Sequence, residues 1–249
     1  MNYVQPNLTN QELIALIRDK IEAKEPFAMA RFGDGELSLL RRNLLPVQER
    51  RMCQNWGYIY PNQLNTAYDR LSATVFRSFD SDVIGLMHRD DINTMILNRF
   101  KKNWLVSESE AKRFCIHDKP ICNHLVSRSV ELGSMRGLRD LLQGKDLHVI
   151  SIRTKALQHL STSLNCKVTF TDHCDINLQN RSELIKSFGD IKADVVVFAT
   201  GLMKDYGVIL RDQFGKVAID MGATVDAWAG VESRPWFKKG GPQDYLTKR

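Results

Sequence analysis

The spacing of apolar residues changes along the chain, from a helical period near the N-terminus to short apolar runs further on. Thr9 and Glu12 form a capping-box pattern. The apolar residues after it recur at helical spacing, namely Leu13, Ile14, Leu16, Ile17 and Ile21. The pattern predicts an amphipathic helix from about residue 10 to 24, which Pro26 ends.

The segment after Pro26 combines an apolar run with a second helical pattern. "FAMARF" (27–32) lies between a proline and a glycine, which predicts a buried strand. "ELSLLRRNLL" (36–45) predicts a helix that Pro46 stops. Together they make residues 30–40, "ARFGDGELSLL", a strand–turn–helix.

The rest of the chain alternates between predicted helices and strands. Residues 62–79 and 90–105 read as helices, with a strand over 82–88 between them. After residue 146 come four short β-branched runs, "DLHVISI", "KVTFT", "ADVVVFAT" and "KVAIDM", which alternate with helical segments near 154–163, 177–188 and 202–213. The alternation predicts an α/β fold: a single Rossmann-like domain with a mostly parallel sheet flanked by helices.

Composition agrees with one soluble globular domain. The chain has 249 residues, of which 43% are hydrophobic and 26% charged. No run approaches the roughly 18 apolar residues that span a bilayer, and the N-terminus lacks a signal-peptide layout. Five cysteines, an odd number, favour free thiols in a reducing compartment. We therefore expect a cytoplasmic protein without membrane insertion, in the host cytoplasm if it is virus-encoded.

The charge balance favours an anionic ligand. The formal net charge is +6 and the isoelectric point is near 9.1, which suits a nucleotide, a phosphorylated glycan or a nucleic acid. The basic residues are dispersed, as on a solvated surface, and do not form one nucleic-acid-binding stripe.

Polar residues follow four of the predicted strands, where ligands bind in parallel α/β sheets. The four pairs are Asp34 and Glu36, Arg153 and Lys155, Asp172 and His173, and Thr200 and Gly201. Since the carboxyl ends of parallel strands share one edge, these pairs could converge on one site.

The first pair has the chemistry of a metal site. Asp34 and Glu36 present two carboxylates around Gly35, a glycine that admits tight backbone geometry and close approach of a ligand. Oxygen ligands suit Mg²⁺ or Mn²⁺, which take further ligands from substrate phosphates. Arg31 could hold such a phosphate or form a salt bridge to one of the acids. In the alternative interpretation, Gly33 to Gly35 form a turn and Glu36 only favours the first helical turn.

Other polar groups have weaker signals. "ATGLMKDYG" (199–207) offers a phosphate or sugar contact at Thr200 and Gly201, or an ordinary turn. Asp172 or His173 could be a general base, or could cap a helix. A Cys/His set, Cys115, His117, Cys122 and His124, could suggest zinc, but its spacing fits buried thiols beside surface histidines better.

Three segments resemble the GT-D glycosyltransferases, formerly a bacterial domain of unknown function. "FAMARFGDGEL" is similar to their N-terminal signature, an Arg-Phe/Tyr-Gly-Asp-Gly-Glu segment that supplies an Asp-x-Glu metal motif. "NHLVSRSVELG" (123–133) is similar to their central Ser-Arg segment. Residues 193–230 resemble their closing strand–Gly–helix–strand, so the resemblance covers roughly residues 26 to 230.

The resemblance implies roles for individual residues. Asp34 and Glu36 would be the metal motif for Mn²⁺ or Mg²⁺, and Arg31 and Arg128 would contact a diphosphate. The closing motif would comprise Asp220, Gly222 and Asp226. The chain departs from the family where "ATGLMKD" replaces a Gly-Pro-Thr turn and where Ala223 replaces a histidine. The implied domain is 1–230, followed by a basic and aromatic tail over 231–249.

The expected function is metal-dependent transfer of a sugar from a nucleoside diphosphate donor, a UDP-sugar, to an acceptor hydroxyl on a glycan or glycoconjugate. Asp226 is the preferred general base, with Asp172 and His173 as alternates. The expected donor-binding residues are Arg31, Gly33, Gly35, Arg128, Arg153, Lys155, Thr200 and Gly201.

Two other functions stay open at this point. One is a virus-type DNA glycosyltransferase that acts on a hydroxymethylated base, which the basic isoelectric point and the tail motivate. The other is a non-catalytic nucleotide-binding module whose acids only cap a helix. The tail, with Arg234, Trp236, Phe237, Lys238 and Lys239, could bind the acceptor or form a homo-oligomer contact.

Overall fold

A seven-stranded sheet forms the centre of the computed structural model, which describes residues 2–42, 64–88, 104–172 and 181–231. The strands are β1 (Phe27–Arg31), β2 (Val83–Leu86), β3 (Ile121–Asn123), β4 (Leu147–Ser151), β5 (Val168–Asp172), β6 (Val195–Ala199) and β7 (Val217–Asp220). Their order in the sheet is β3-β2-β1-β7-β6-β4-β5, and every neighbouring pair is parallel. The predicted α/β class with a parallel sheet is confirmed.

Ten α-helices lie within the described residues. They are α1 (Asn10–Ala23), α2 (Asp34–Leu40), α3 (Leu64–Arg77), α4 (Glu108–Arg113), α5 (Val130–Gly133), α6 (Met135–Leu142), α7 (Leu160–Leu164), α8 (Arg181–Ser187), α9 (Tyr206–Phe214) and α10 (Ala223–Trp228). Short 3₁₀ segments cover Ser78–Asp80, His124–Arg128, Thr154–Leu157 and Phe188–Asp190. No described helix has the length and apolarity to cross a bilayer.

The first helix begins and ends as its sequence predicts. The Thr9 hydroxyl accepts a hydrogen bond from the Glu12 backbone N–H at 3.2 Å, and the Glu12 carboxylate accepts one from the Thr9 N–H at 2.8 Å. This reciprocal pair satisfies two of the backbone donors that a helix start leaves without partners. Lys24, in the left-handed conformation at φ 55°, ends the helix before Pro26.

Two apolar clusters cover the two faces of the sheet. Residues of α2, α3, α4 and α9 pack on one face, and residues of α1, α5, α6, α7 and α10 pack on the other. Strands β1 and β7 are neighbours, yet the helix after β1 lies on one face and the helix after β7 on the other. The two connections therefore diverge and leave a crevice beyond the carboxyl ends of β1 and β7, the usual ligand position in such sheets.

Several elements differ from their prediction. Strand β3 and helices α4, α5, α6 and α10 were not expected, and the helix predicted from residue 36 already begins at Asp34. The helix predicted near 202–213 begins only at Tyr206, because a turn over residues 200–203 precedes it. Most of the helix predicted over 90–105, the start of the one over 177–188 and the end of the one over 36–45 lie outside the described residues.

Candidate active site at the crevice between the first and last strands

Helix α2 places two acidic side chains at the mouth of this crevice. Asp34 is its first residue, and Glu36 is in its first turn. One carboxylate oxygen of Glu36, Oε2, accepts a hydrogen bond from the Gly33 backbone N–H at 2.9 Å. Glu36 thus stabilises the helix start, as the alternative interpretation of this segment expected. Gly35 lies within the helix with open space at its Cβ position, so the tight backbone geometry expected there is absent.

The second oxygen of Glu36 belongs to a buried ionic cluster. Lys204 Nζ lies 3.3 Å from Glu36 Oε1 and 2.8 Å from Asp220 Oδ2. Asp220 also pairs with Arg31, whose Nη2 lies 3.5 Å from Asp220 Oδ1. All four side chains are at most 12% exposed. We call these four residues the ionic cluster; it joins the ends of β1 and β7 with the segment after β6.

Arg31 forms hydrogen bonds with two other segments at the crevice. Its backbone N–H and Nε donate to Asp220 Oδ2 and to the Asp220 carbonyl oxygen at 3.1 and 2.7 Å. Its Nη1 donates to the His124 carbonyl at 3.1 Å and to the Ser127 hydroxyl at 2.5 Å. Arg31 thus forms a salt bridge with Asp220, whereas the alternative interpretation of Arg31 had named Asp34 or Glu36 as its partner. Its side chain is only 4% exposed and pairs with Asp220, and its expected role as a phosphate contact stays a prediction.

Opposite charges keep the ionic cluster ionised. Burial raises the pKa of Asp220, but the charges of Lys204 and Arg31 outweigh this effect, so the pKa lies below its usual value. Burial lowers the pKa of Lys204, and the charges of Asp220 and Glu36 outweigh that effect in turn, so this pKa is raised. The formal charges of the two acidic and the two basic side chains of the cluster cancel.

A neutral histidine lies beside the ionic cluster. Burial, with the charges of Arg31, Arg128 and Lys204, lowers the pKa of His124 well below its usual value. The ring packs edge-on against Trp104 at 5.9 Å between centroids. Arg128 is half-buried at the end of a 3₁₀ segment, and its charge acts on His124; its expected role as a diphosphate contact stays a prediction.

Gly222 is required at the point where β7 turns into α10. Its φ is +48°, and a Cβ built there would lie 2.5 Å from Arg31 Nη2. Any side chain would strain the backbone and displace the guanidinium from Asp220. The closing Asp-x-Gly motif thus has a packing reason for its glycine.

We expect Gly222→Ala to lower the free energy of unfolding by about 3 kcal/mol, since backbone strain and a clash with Arg31 add together. Gly215→Ala is the comparison, because Gly215 has the milder αL conformation (φ +65°, ψ 32°, against φ +48°, ψ −129° at Gly222) and open space around its Cβ position. There the loss should be about 1 kcal/mol. Urea unfolding of both variants measures the difference, and equal losses would show that the Arg31 contact is unimportant.

A second ion pair joins two further predicted residues. Arg153, after β4, donates from Nε to Asp226 Oδ1 of α10 at 3.0 Å. Their side chains are 36% and 24% exposed, so the pair faces solvent in part. The sequence placed Arg153 and Asp226 in separate motifs, and the structure shows that they act on each other directly.

Three other donor-binding candidates, Thr200, Gly201 and Lys155, lie in a turn and in a short 3₁₀ segment. The Thr200 hydroxyl donates to the Met203 carbonyl at 2.9 Å, and Gly201, at φ +58°, turns the chain. This is the ordinary turn that the sequence left open, and α9 begins five residues after Gly201, so no helix N-terminus lies at the glycine. Lys155 is exposed in the 3₁₀ segment after β4.

Asp172, from the third strand-end pair, is distant from the strand that precedes Asp34 and Glu36. Asp172 is exposed at the end of β5, which is four strands from β1 in the sheet order. At about 4.8 Å per strand, that separation is about 19 Å. Asp172 therefore does not join the ionic cluster, and His173 lies outside the described residues.

The Cys/His set does not form a zinc site. Cys122 is buried in β3, whereas Cys115 is exposed. Burial raises the pKa of Cys122 to about 12, which disfavours the thiolate that zinc requires. No group of three or more metal-binding side chains occurs within the described ranges. The expectation of buried thiols beside surface histidines is half wrong, because His124 is buried and Cys115 is not.

Asp34 and Glu36 nevertheless fit a divalent cation that a substrate completes. Mg²⁺ and Mn²⁺ often bind to one or two carboxylates, water and substrate phosphates, without a protein cage. Both side chains are partly accessible in the first turn of α2 and offer hard oxygen ligands. The set suits a metal that arrives with a diphosphate and does not suit one held by protein alone.

A cavity of about 310 Å³ lies away from this crevice, between β4, β5 and the segment after α8. His148, in the first half of β4, hydrogen-bonds through its two ring nitrogens with the hydroxyls of Thr169 and Thr171 at 2.8 and 2.9 Å. Burial and the charge of Lys216 lower the pKa of His148 to about 4. Because the cavity does not contain the strand ends, we place the chemistry in the crevice.

Sequence reasoning missed the residue that links the acidic motifs. Lys204 lies within the quoted "ATGLMKDYG" segment, but nothing in the local pattern singles it out. Only its position could have indicated it: Lys204 comes soon after a strand-end glycine in a predicted parallel sheet, and residues there lie at the ligand-binding edge.

Comparisons with known proteins show the family and the fold of the chain. A family model described as a GT-D fold-like domain matches residues 8–228. A selenomethionine-substituted structure of domain of unknown function 1792 is 16% identical, with a TM-score of 0.56, and the match covers 95% of this chain and 90% of that one. A second structure, for which domain of unknown function 1792 is described as having a distinct glycosyltransferase fold, is 16% identical with a TM-score of 0.58, over 98% of this chain and 84% of that one. No curated protein matches the chain.

Proposed function

Since this chain belongs to the GT-D-like family, which suggests a glycosyltransferase, we propose that it transfers a sugar from a nucleoside diphosphate donor to an acceptor hydroxyl with the help of a divalent cation. The ionic cluster carries the proposal. It sets Lys204, with Arg128 nearby, against the carboxylates of α2, in the crevice where parallel α/β sheets bind their ligands. A UDP-sugar is the donor class that we propose.

Asp34 and Glu36 would hold Mn²⁺ or Mg²⁺ together with the donor diphosphate. When bound, such a cation stabilises the negative charge that builds on the departing nucleoside diphosphate. Arg128 and Lys204 add positive charge close to His124, beside the ionic cluster. The first turn of α2 contributes backbone N–H groups that favour an anion at this end of the helix.

Asp226 is the proposed general base. Its carboxylate accepts a hydrogen bond from Arg153 and is partly exposed, so it can reach an acceptor. The acceptor oxygen attacks the anomeric carbon, the bond from that carbon to the β-phosphate oxygen breaks, and the hydroxyl proton passes to Asp226. Arg153 fixes the orientation of the carboxylate during this step.

A glycan or glycoconjugate hydroxyl is the proposed acceptor. The alternative acceptor, a hydroxymethylated base in DNA, rests on the tail over 231–249, which lies outside the described residues apart from residue 231. The alternative of a non-catalytic nucleotide-binding module rests on the helix-capping role of Glu36. One experiment can distinguish these functions.

We expect labelled UDP-sugars to be hydrolysed slowly without acceptor and consumed faster with the correct one, since water can replace the acceptor hydroxyl. A panel of UDP-sugars is tested against glycan and hydroxymethylated-DNA acceptors, with Mn²⁺ or Mg²⁺ present. EDTA should stop turnover, and either metal should restore it. Binding of UDP without any turnover would favour the binding module, and turnover that persists in EDTA would exclude the metal.

A further inference from the structure

Lys204 occupies a position that a divalent cation would also favour. Its ammonium contacts one oxygen of Glu36 and one of Asp220, and its side chain is only 8% exposed. The other oxygen of Glu36, Oε2, accepts a hydrogen bond from the Gly33 N–H at 2.9 Å. A metal that binds Glu36 at Oε1 must share that oxygen with an ammonium that is already in place, and a metal at Oε2 still binds the carboxylate that the ammonium contacts.

The segment around Lys204 is well fixed. The Thr200 hydroxyl and the Met203 carbonyl close the turn before it, and the Gly207 N–H donates to the Lys204 carbonyl at 3.2 Å. The side chain consequently reaches from the end of β6 across β7 towards α2. Such a buried, oriented charge costs free energy to place unless its partners compensate for it, which Asp220 and Glu36 do here.

We propose that Lys204 is a positioning residue that holds Glu36 and lowers the affinity of Asp34 and Glu36 for a divalent cation until the donor diphosphate is present. The inference rests on the proposed function. Without the diphosphate, the positive charge of Lys204 opposes a second cation at Glu36. With the diphosphate, the same charge attracts the ligand, so metal and donor bind together.

Removing this charge must shift two affinities in opposite directions. Lys204→Gln keeps a hydrogen-bond donor for Asp220 and Glu36 but has no charge. Mn²⁺ without nucleotide should bind about tenfold more tightly, since a unit charge near the ligand carboxylate is gone. UDP without metal should bind about tenfold more weakly, because an attractive charge is lost. A purely structural role would weaken both.

The experiment measures Mn²⁺ binding by electron paramagnetic resonance and UDP binding by calorimetry, each without the other ligand. Lys112→Gln is the matched control: it makes the same change in net charge at an exposed lysine of α4 and should leave both affinities unchanged. Lys204→Met, similar in volume, is the second variant if thermal melts show that the glutamine disturbs the fold; it should shift both affinities in the same directions.

The possible outcomes distinguish a failure of this inference from a failure of the proposed function. If the wild-type protein binds neither Mn²⁺ nor UDP, whether the two are added separately or together, the proposed function fails and the role of Lys204 fails with it. If the wild-type protein binds both and Lys204→Gln changes neither affinity, or weakens both, only the role of Lys204 is overturned. Opposite shifts with an unaffected Lys112→Gln support it.

Discussion

Asp34→Asn should lower kcat for sugar transfer by about 10³-fold, because it removes a metal ligand that is worth several kcal/mol of transition-state stabilisation. The free energy of unfolding should change by less than about 1 kcal/mol, since Asp34 is partly exposed in the first turn of α2 and lies outside the core. Steady-state kinetics with saturating Mn²⁺ and urea unfolding measure the two effects. Glu36→Gln is a less informative variant, because Glu36 also caps α2 and pairs with Lys204.

Glu108→Gln is the matched control for this prediction. Glu108 is the first residue of α4, as Asp34 is of α2, so each substitution removes one carboxylate from a first helical turn. Glu108 is exposed, and no contact links it to the ionic cluster within the described residues. Kinetics of Glu108→Gln should equal wild type. Full activity in Asp34→Asn would remove the metal site and leave Asp34 as a helix-start residue alone.

The local elements of this fold could be predicted because their signals are short-range. The capping box of Thr9 and Glu12 and the apolar period after it define α1 to within a residue. Strand β3 was missed because it has three residues and lies within a segment whose cysteines and histidines suggested a metal. So short a strand has too few residues to show a period, and it forms because β2 offers it a partner edge.

The ionic cluster could be predicted only in part, because its members come from distant parts of the chain. Arg31 and Asp220 are 189 residues apart, and they meet because β1 and β7 are neighbours in the sheet. A pattern of alternating strands and helices does not give the order of the strands. The expected acid partner of Arg31 was therefore a near neighbour, whereas the fold supplies Asp220.

The unknown strand order also explains why Asp172 was grouped with the other strand-end residues and why Lys204 was missed. Asp172 follows a strand, as Asp34 does, but the sheet order places four strand spacings between their strands. Lys204 follows β6, which lies next to β7, so its long side chain reaches Asp220 and Glu36. Which strand-end residues share a site depends on sheet order and side-chain length together.

Asp220→Asn should lower the free energy of unfolding by about 3–5 kcal/mol, the usual cost of leaving buried charges without their partner. Asp220 is 1% exposed and accepts from the Arg31 backbone, while both Arg31 and Lys204 depend on its charge. Asp140→Asn is the matched control, since Asp140 pairs with Arg136 at 4.0 Å on an exposed face of α6. That variant should stay within about 0.5 kcal/mol of wild type in urea unfolding at pH 7.

The loss of unfolding free energy in Asp220→Asn should depend on pH and on the charge of Lys204, because it comes from ion pairing. The pKa of Asp220 in the folded protein lies below its ordinary value of 3.8, so its stabilisation is complete above about pH 4 and is lost as pH falls through the lower, folded value. The advantage of wild type over Asp220→Asn should therefore persist down to about pH 4 and shrink below it. Combining Asp220→Asn with Lys204→Met should recover about 1 kcal/mol or more, because the double variant no longer buries an ammonium without its main partner. Strictly additive losses in this cycle, or a pH-independent difference, would show that Asp220 stabilises the crevice by packing and not by charge.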